Sequence, residues 1–264
     1  MNDAKTYLDT GNLTAAVESA LNQVKASPAD APARTFLFEL SCFSGDWERA
    51  EKQLDVIGHQ SAASMIGAKV YEQNFKAERD RTKLFSDGQR PETAMPLPSY
   101  AVELLKANDL IREGKTAEAR ALLDEIEENR PAFPCTINGE DFSDFRDYND
   151  ATMCVFELIV KDLYVWLPFE QVEKIEFLQR KSLRDVFWPQ AAVTMTNGTN
   201  GEMFLPSLYV NSWKHNDDQV RLGRTVDWRD AGDEIYIGEG TRLFTMDGKD
   251  KSILDIQTIE FRHD

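Results

Sequence analysis

The residues with the most chemistry in reach are five carboxylates, Glu140, Asp141, Asp144, Asp147 and Asp150, at a spacing near three. Carboxylates gathered this way can chelate a divalent cation or divide general-acid and general-base work. The glycine-containing loop of an EF-hand is missing, so the expectation is structural. Asp150 should cap a helix over 151–162, and the other acids should stay in water or pair with Arg146. A second polar cluster is Arg224-Thr225-Val226-Asp227-Trp228-Arg229. Its Arg and Asp suit a hydrogen-bonded ligand or, as preferred here, a loop locked across a sheet. Gly238-Glu239-Gly240 opens like a dinucleotide fingerprint, but the third glycine is absent and Arg242-Leu243-Phe244 continues as strand. A turn is expected there.

Neither a P-loop nor a Gly-x-Ser-x-Gly elbow occurs, and no Ser or Cys has an evident His partner. His59, His215 and His263 are scattered without zinc-ligand spacing. Cys42, Cys135 and Cys154 are odd in number with no Cys-x-x-Cys, the pattern of reduced intracellular thiols. No metal, no cofactor and no catalytic residue is therefore expected. A hydrolase reading survives only if Arg224, Asp227 and Arg242 converge in an open pocket.

The elements that would position these groups begin with a repeat. Gly11 is followed by Ala16, Gly45 by Ala50, and Gly114 by Ala119, with 34 residues from Gly11 to Gly45. Pro28 and Pro131 each lie 17 residues after their glycine. This period, with Gly turning the chain, Ala allowing close helix approach and Pro ending the unit, is that of tetratricopeptide-like helical pairs. The sequence predicts helices on either side of Gly11-Asn12 within 1–27, then over 31–43, 46–57, 62–86, 99–113 and 116–128. In the helix over 62–86 the apolar residues are Met65, Val70, Phe75 and Leu84. No Gly–Ala unit falls near residue 80, so the third pair is irregular. Stacked pairs form a groove that can receive a helix or extended segment of another protein. The repeat places Lys5, Asp9, Thr35, Glu39, Asn108 and Arg112 on its face.

After Pro131 the pattern changes to strands. Cys135–Glu140 reads as strand and turn, and Tyr164–Pro168 as a strand followed by a helical turn over 169–174. Ala191–Thr196, Asn197-Gly198 and Glu202–Leu205 form a hairpin signal, with Asn-Gly supplying positive φ angles. Further strands are expected over 234–237, 242–246 and 253–261. The fold class is α+β: a tetratricopeptide-like helical domain over 1–131, then an α+β domain over 132–264. The sheet of the second domain should be small, strongly bent and mostly antiparallel, or a partial barrel.

The 264 residues carry 46 acidic and 30 basic side chains, a formal charge of −16. Such a surface disfavours nucleic acid and anionic membrane, both of which are held by Lys and Arg. The apolar run 153–169 is broken by Glu157, Lys161 and Asp162 and cannot span a bilayer. Met1-Asn2-Asp3-Ala4-Lys5 has no apolar signal region, so a cytoplasmic location is expected.

Several strings, in order, resemble the ImpE (TagJ) family of type VI secretion accessory proteins. They are Arg146-Asp147-Tyr148-Asn149-Asp150, Glu157-Leu158-Ile159, Tyr164-Val165-Trp166-Leu167-Pro168-Phe169, Leu183-Arg184-Asp185, Phe204-Leu205-Pro206, Leu222-Gly223-Arg224-Thr225-Val226-Asp227-Trp228 and Ile259-Glu260-Phe261. Asn149 and Val226 depart from the family pattern. The resemblance implies a non-enzymatic bacterial adaptor that binds the N-terminal helix of the small contractile-sheath subunit. It also implies a link to the ClpV-type AAA+ ATPase that recycles contracted sheath. It singles out Asp147, Asp150, Trp166, Arg224, Asp227 and Trp228 as structural or binding residues. A generic peptide-binding scaffold outside secretion is the alternative of the same class.

Overall fold

The computed structural model describes residues 2–263, with helices in the first half and strands in the second. The early helices are α1 (Asn2–Asp9), α2 (Leu13–Ala26), α3 (Ala31–Ser44), α4 (Trp47–Gly58), α5 (Ala62–Asp87), α6 (Ser99–Arg112) and α7 (Thr116–Asn129). Local chemistry sets several of their starts. Asn12, Asp30, Asp46 and Ser61 each accept a hydrogen bond from a backbone N–H three residues on, satisfying a donor the helix itself leaves unpaired. The repeat holds its geometry at the turns. Gly11, Gly45 and Gly114 all have left-handed φ, between +71° and +80°. Ala16, Ala50 and Ala119 are completely buried against the preceding helix. α5 is the irregular member: it runs unbroken to Gly88 and is followed by a loop carrying β1 (Glu92–Thr93).

The strands that follow are β2 (Cys135–Ile137), β3 (Glu140–Phe142), β4 (Arg146–Asp147), β5 (Val155–Val160), β6 (Leu163–Pro168), β7 (Val172–Phe177), β8 (Gln190–Met195) and β9 (Asn200–Phe204). After them come β10 (Val226–Asp230), β11 (Tyr236–Gly240), β12 (Leu243–Met246), β13 (Lys249–Ser252) and β14 (Thr258–Phe261), with short helices α8 (Arg184–Phe187) and α9 (Asp218–Arg221). The main sheet has nine strands in the order β1-β6-β5-β9-β8-β7-β14-β2-β3, more than the small sheet expected. Only β1–β6 pairs in parallel, so a strand from the helical half sits on the edge of the sheet. β10–β11 form a separate ribbon, and β13-β12-β4 a third sheet.

Several expectations are corrected. Residues 151–162 are not a helix: a single 3-10 turn, Asp150–Thr152, leads into β5. The side chain of Asn149, not Asp150, caps that turn. The run Met153–Ile159 is buried at every position, and a continuous apolar run cannot be told from a buried helix by periodicity. Gly238-Glu239-Gly240 lies within β11 rather than in a turn. Gly198, but not Asn197, takes positive φ in the β8–β9 turn. The expected strand 253–261 is split into a 3-10 turn, Ile253–Asp255, and β14, and β10 and β13 add strands that were not foreseen. Met65, at 59% exposure, lies outside the core that holds Phe75 and Leu84.

One apolar core crosses both halves. Phe38, Phe43 and Phe75 of the helices meet Phe187 and Trp188 at ring distances of 5.0–5.6 Å or through one another. Phe145, Phe156, Phe169, Phe244 and Phe261 pack together inside the strand-rich half.

Candidate protein-binding site

Asp147 and Glu157, both from the resembling strings, lie in a buried ion-pair network at the junction of the halves. Arg81 of α5 donates two 2.9 Å hydrogen bonds to Glu157 on β5. Arg242 pairs with Asp147 at 2.8 Å and also with Glu157. Tyr164 and Tyr209 donate to Glu157 and Asp147 at 2.6 and 2.7 Å, and Trp166 Nε1 donates to Tyr164 at 2.6 Å. Burial opposes the charge on Glu157, but Arg81 and Arg242 outweigh it and hold the carboxyl down to about 2. Burial has the upper hand at Asp147, whose carboxyl sits above its ordinary value despite Arg242. All its members are closed to solvent, so the network fastens α5 to the sheet and offers no access to a substrate.

The segment 211–224 grips the first helices. Arg224 donates to the Leu8 and Asp9 carbonyls at the end of α1, while Asp218 accepts from Leu13 N and Thr14 N at the start of α2. Each charge is opposite in sign to the helix end it meets. The Trp213 ring lies where a Cβ on Gly45 would stand, 2.3–2.6 Å away. Glu39 accepts from Arg184 of α8 at 2.8 Å and is pushed upward by burial. Asn108 donates to the Leu104 and Ala151 carbonyls. Glu39 and Asn108, read as lining an open groove, therefore face the chain's own second half. Arg112 is half-buried beside Asp109, Thr35 is half-buried, and the Lys5 and Asp9 side chains are exposed.

The remaining candidates disperse. Asp227 is exposed and meets His215 Nε2 at 3.2 Å, and Trp228 packs on Tyr148 and Tyr209. Arg224, Asp227 and Arg242 thus have separate partners and share no pocket. Asp150 takes Arg146 at 2.8 Å and the Tyr236 N–H at 2.9 Å. Glu140, Asp141 and Asp144 pair with Lys249, Arg262 and Arg130 respectively. Among the described residues no group of three or more His, Cys, Asp or Glu is placed to hold a metal. The three thiols are buried and unpaired. Burial pushes the Cys135 thiol up to about 12.

An open recess of about 890 Å³ lies between α4 and α5. Leu54 and Ala68 form its floor, Met65, Ile66 and Val70 its apolar sides, and Asp55, His59, Lys69 and Glu72 its polar rim. Ile66 is 67% exposed. Adjacent large apolar side chains left in water beside a recess make this the candidate site for another molecule. The caps at Ser61 and Asp46 fix the two helices that form it.

A protein matched over nearly the whole chain settles the lineage. The type VI secretion system accessory component TagJ of Pseudomonas aeruginosa is 31% identical over 258 residues, covering 98% of this chain and 90% of that protein. The model of the family described as ImpE protein matches residues 139–260. The chain belongs to the ImpE family. The crystal structure of VPA1032 from Vibrio parahaemolyticus has a TM-score of 0.90 at 26% identity, covering 99% of this chain and 98% of that one.

For this ImpE-family chain, sequence reasoning missed Arg81, Tyr209, Trp213 and the recess. Arg81 and Tyr209 are separated from their partners by 76 and 62 residues, beyond any spacing rule. Ile66 did have a signal. With Met65 it makes a doublet, and one helical stripe cannot bury two adjacent positions equally.

Proposed function

We propose that this chain is a non-catalytic accessory adaptor of a bacterial type VI secretion system, working in the cytoplasm. It holds the N-terminal segment of the small contractile-sheath subunit and assists sheath recycling with a ClpV-type AAA+ ATPase. The observation that carries the secretion role is the 31% identity to TagJ over 98% of the chain. The sheath segment and the ATPase come from the family resemblance. The α4–α5 recess supports the mode of binding: an amphipathic helix would lay its apolar anchors on Met65 and Ile66. Residues 1–131 act in this reading as the holding unit, with Lys5, Asp9 and Thr35 left available at its surface. Residues 132–264 brace it through the 211–224 segment. Among the described residues no helix is long and apolar enough to cross a membrane.

The test is co-purification of the sheath small subunit and of the ATPase with the tagged chain. The adaptor reading expects the sheath subunit to be retained, and lost when its N-terminal segment is deleted. Retention of unrelated peptides with equal strength would instead mark a generic scaffold.

A further inference from the structure

Among the described residues the sulfur atoms of the chain are unequally placed. Met153, Met195, Met203 and Met246 are buried, and Met95 is half-buried against the core. Met65 is 59% exposed and lines the α4–α5 recess beside Leu54, Ile66 and Ala68. Cys42, Cys135 and Cys154 are buried, and burial pushes each thiol up, so little reactive thiolate is present. A thioether has no proton to lose, so access to the sulfur decides which methionine an oxidant meets first.

The chemistry needs one co-reactant, a peroxide. A sulfur lone pair of Met65 takes one oxygen as the O–O bond breaks. The thioether is oxidised to a sulfoxide, and hydrogen peroxide is reduced to water. The product exchanges a flexible apolar side chain for a polar one. Its position makes the exchange matter. A sulfoxide oxygen set among Leu54, Ile66 and Ala68 must give up water when an apolar side chain enters the recess. Burying a polar group without a compensating hydrogen bond costs free energy.

We infer that Met65 is an oxidation site whose sulfoxide weakens the hold of the α4–α5 recess on an apolar helix face. The weakening rests on the reading of that recess as the docking site of the sheath segment. The oxidation itself rests on exposure alone, so the two parts fail separately. Ile66 and Val70 carry no sulfur, which leaves Met65 as the recess position open to this chemistry.

The experiment treats the full chain with graded hydrogen peroxide and maps the oxygen gained by peptide mass spectrometry. The same samples are then titrated with the sheath small subunit's N-terminal peptide by calorimetry. Met65 should be oxidised before any other described methionine. Affinity for the peptide should then fall at least about fivefold, and methionine sulfoxide reductase should restore it. Whatever its starting affinity, Met65→Leu should lose none on the same treatment, whereas Met95→Leu should lose as much as the parent. Oxidation of a buried methionine ahead of Met65 would overturn the site. Equal affinity before and after treatment, or an equal loss in Met65→Leu, would overturn the weakening. No binding by the untreated parent would overturn the docking reading and the weakening with it, while the order of oxidation is read without the peptide.

Discussion

Arg242 is 1% exposed, and the charge of its buried guanidinium is compensated by Asp147 and Glu157, which both face it. Breaking a buried pair from one side leaves charge uncompensated and typically costs about 3–5 kcal/mol. Arg242→Met should therefore lower the free energy of urea unfolding by an amount of that order, read as a lower midpoint at an unchanged m-value. Glu157 gives the same network a pH signature. Its folded-state carboxyl titrates at about 2, below its ordinary 4.5, so its stabilisation is complete above pH 4.5 and is lost as pH falls toward 2. Asp147, held above its ordinary value by burial, works in the opposite sense. Glu157→Gln should remove the acid-labile part, flattening the fall in urea stability between pH 4.5 and 2. Glu157 and Asp147 were legible as motif residues, but their role was not. Arg81 and Arg242 lie 76 and 85 residues from Glu157, and only the folded sheet brings them together.

At the scale of elements, the helical repeat was the most legible part, because Gly, Ala and Pro each impose a local condition whose period survives folding. The helix expected over 151–162 failed where burial on all sides erased the periodicity that separates strand from helix. The closure of the repeat by segment 211–224 was also hidden, since nothing local in that segment names α1, α2 or Gly45 as its target. Gly45 and Gly114 test that closure as a pair. Both are left-handed, but Gly114 has open space around it while Gly45 meets the Trp213 ring. Gly114→Ala should cost about 1 kcal/mol in backbone strain alone. Gly45→Ala should cost at least about twice that, since the indole must also move. Thermal unfolding of the two variants side by side reads the difference.

For the whole molecule, the shared core and the buried ion pairs mean that the second half fills much of the face the helical repeat was expected to leave open. The net negative charge was readable from composition, and the family from ordered strings. The binding surface was not, because exposure of Met65 and Ile66 depends on which side of α5 the sheet occupies. The most direct test is calorimetric titration of a peptide spanning the sheath small subunit's N-terminal segment into the parent chain and into Ile66→Asp. The account predicts saturable binding to the parent, weakened roughly tenfold or more in Ile66→Asp. No binding to the parent, or equal affinity for the parent and Ile66→Asp, would contradict it.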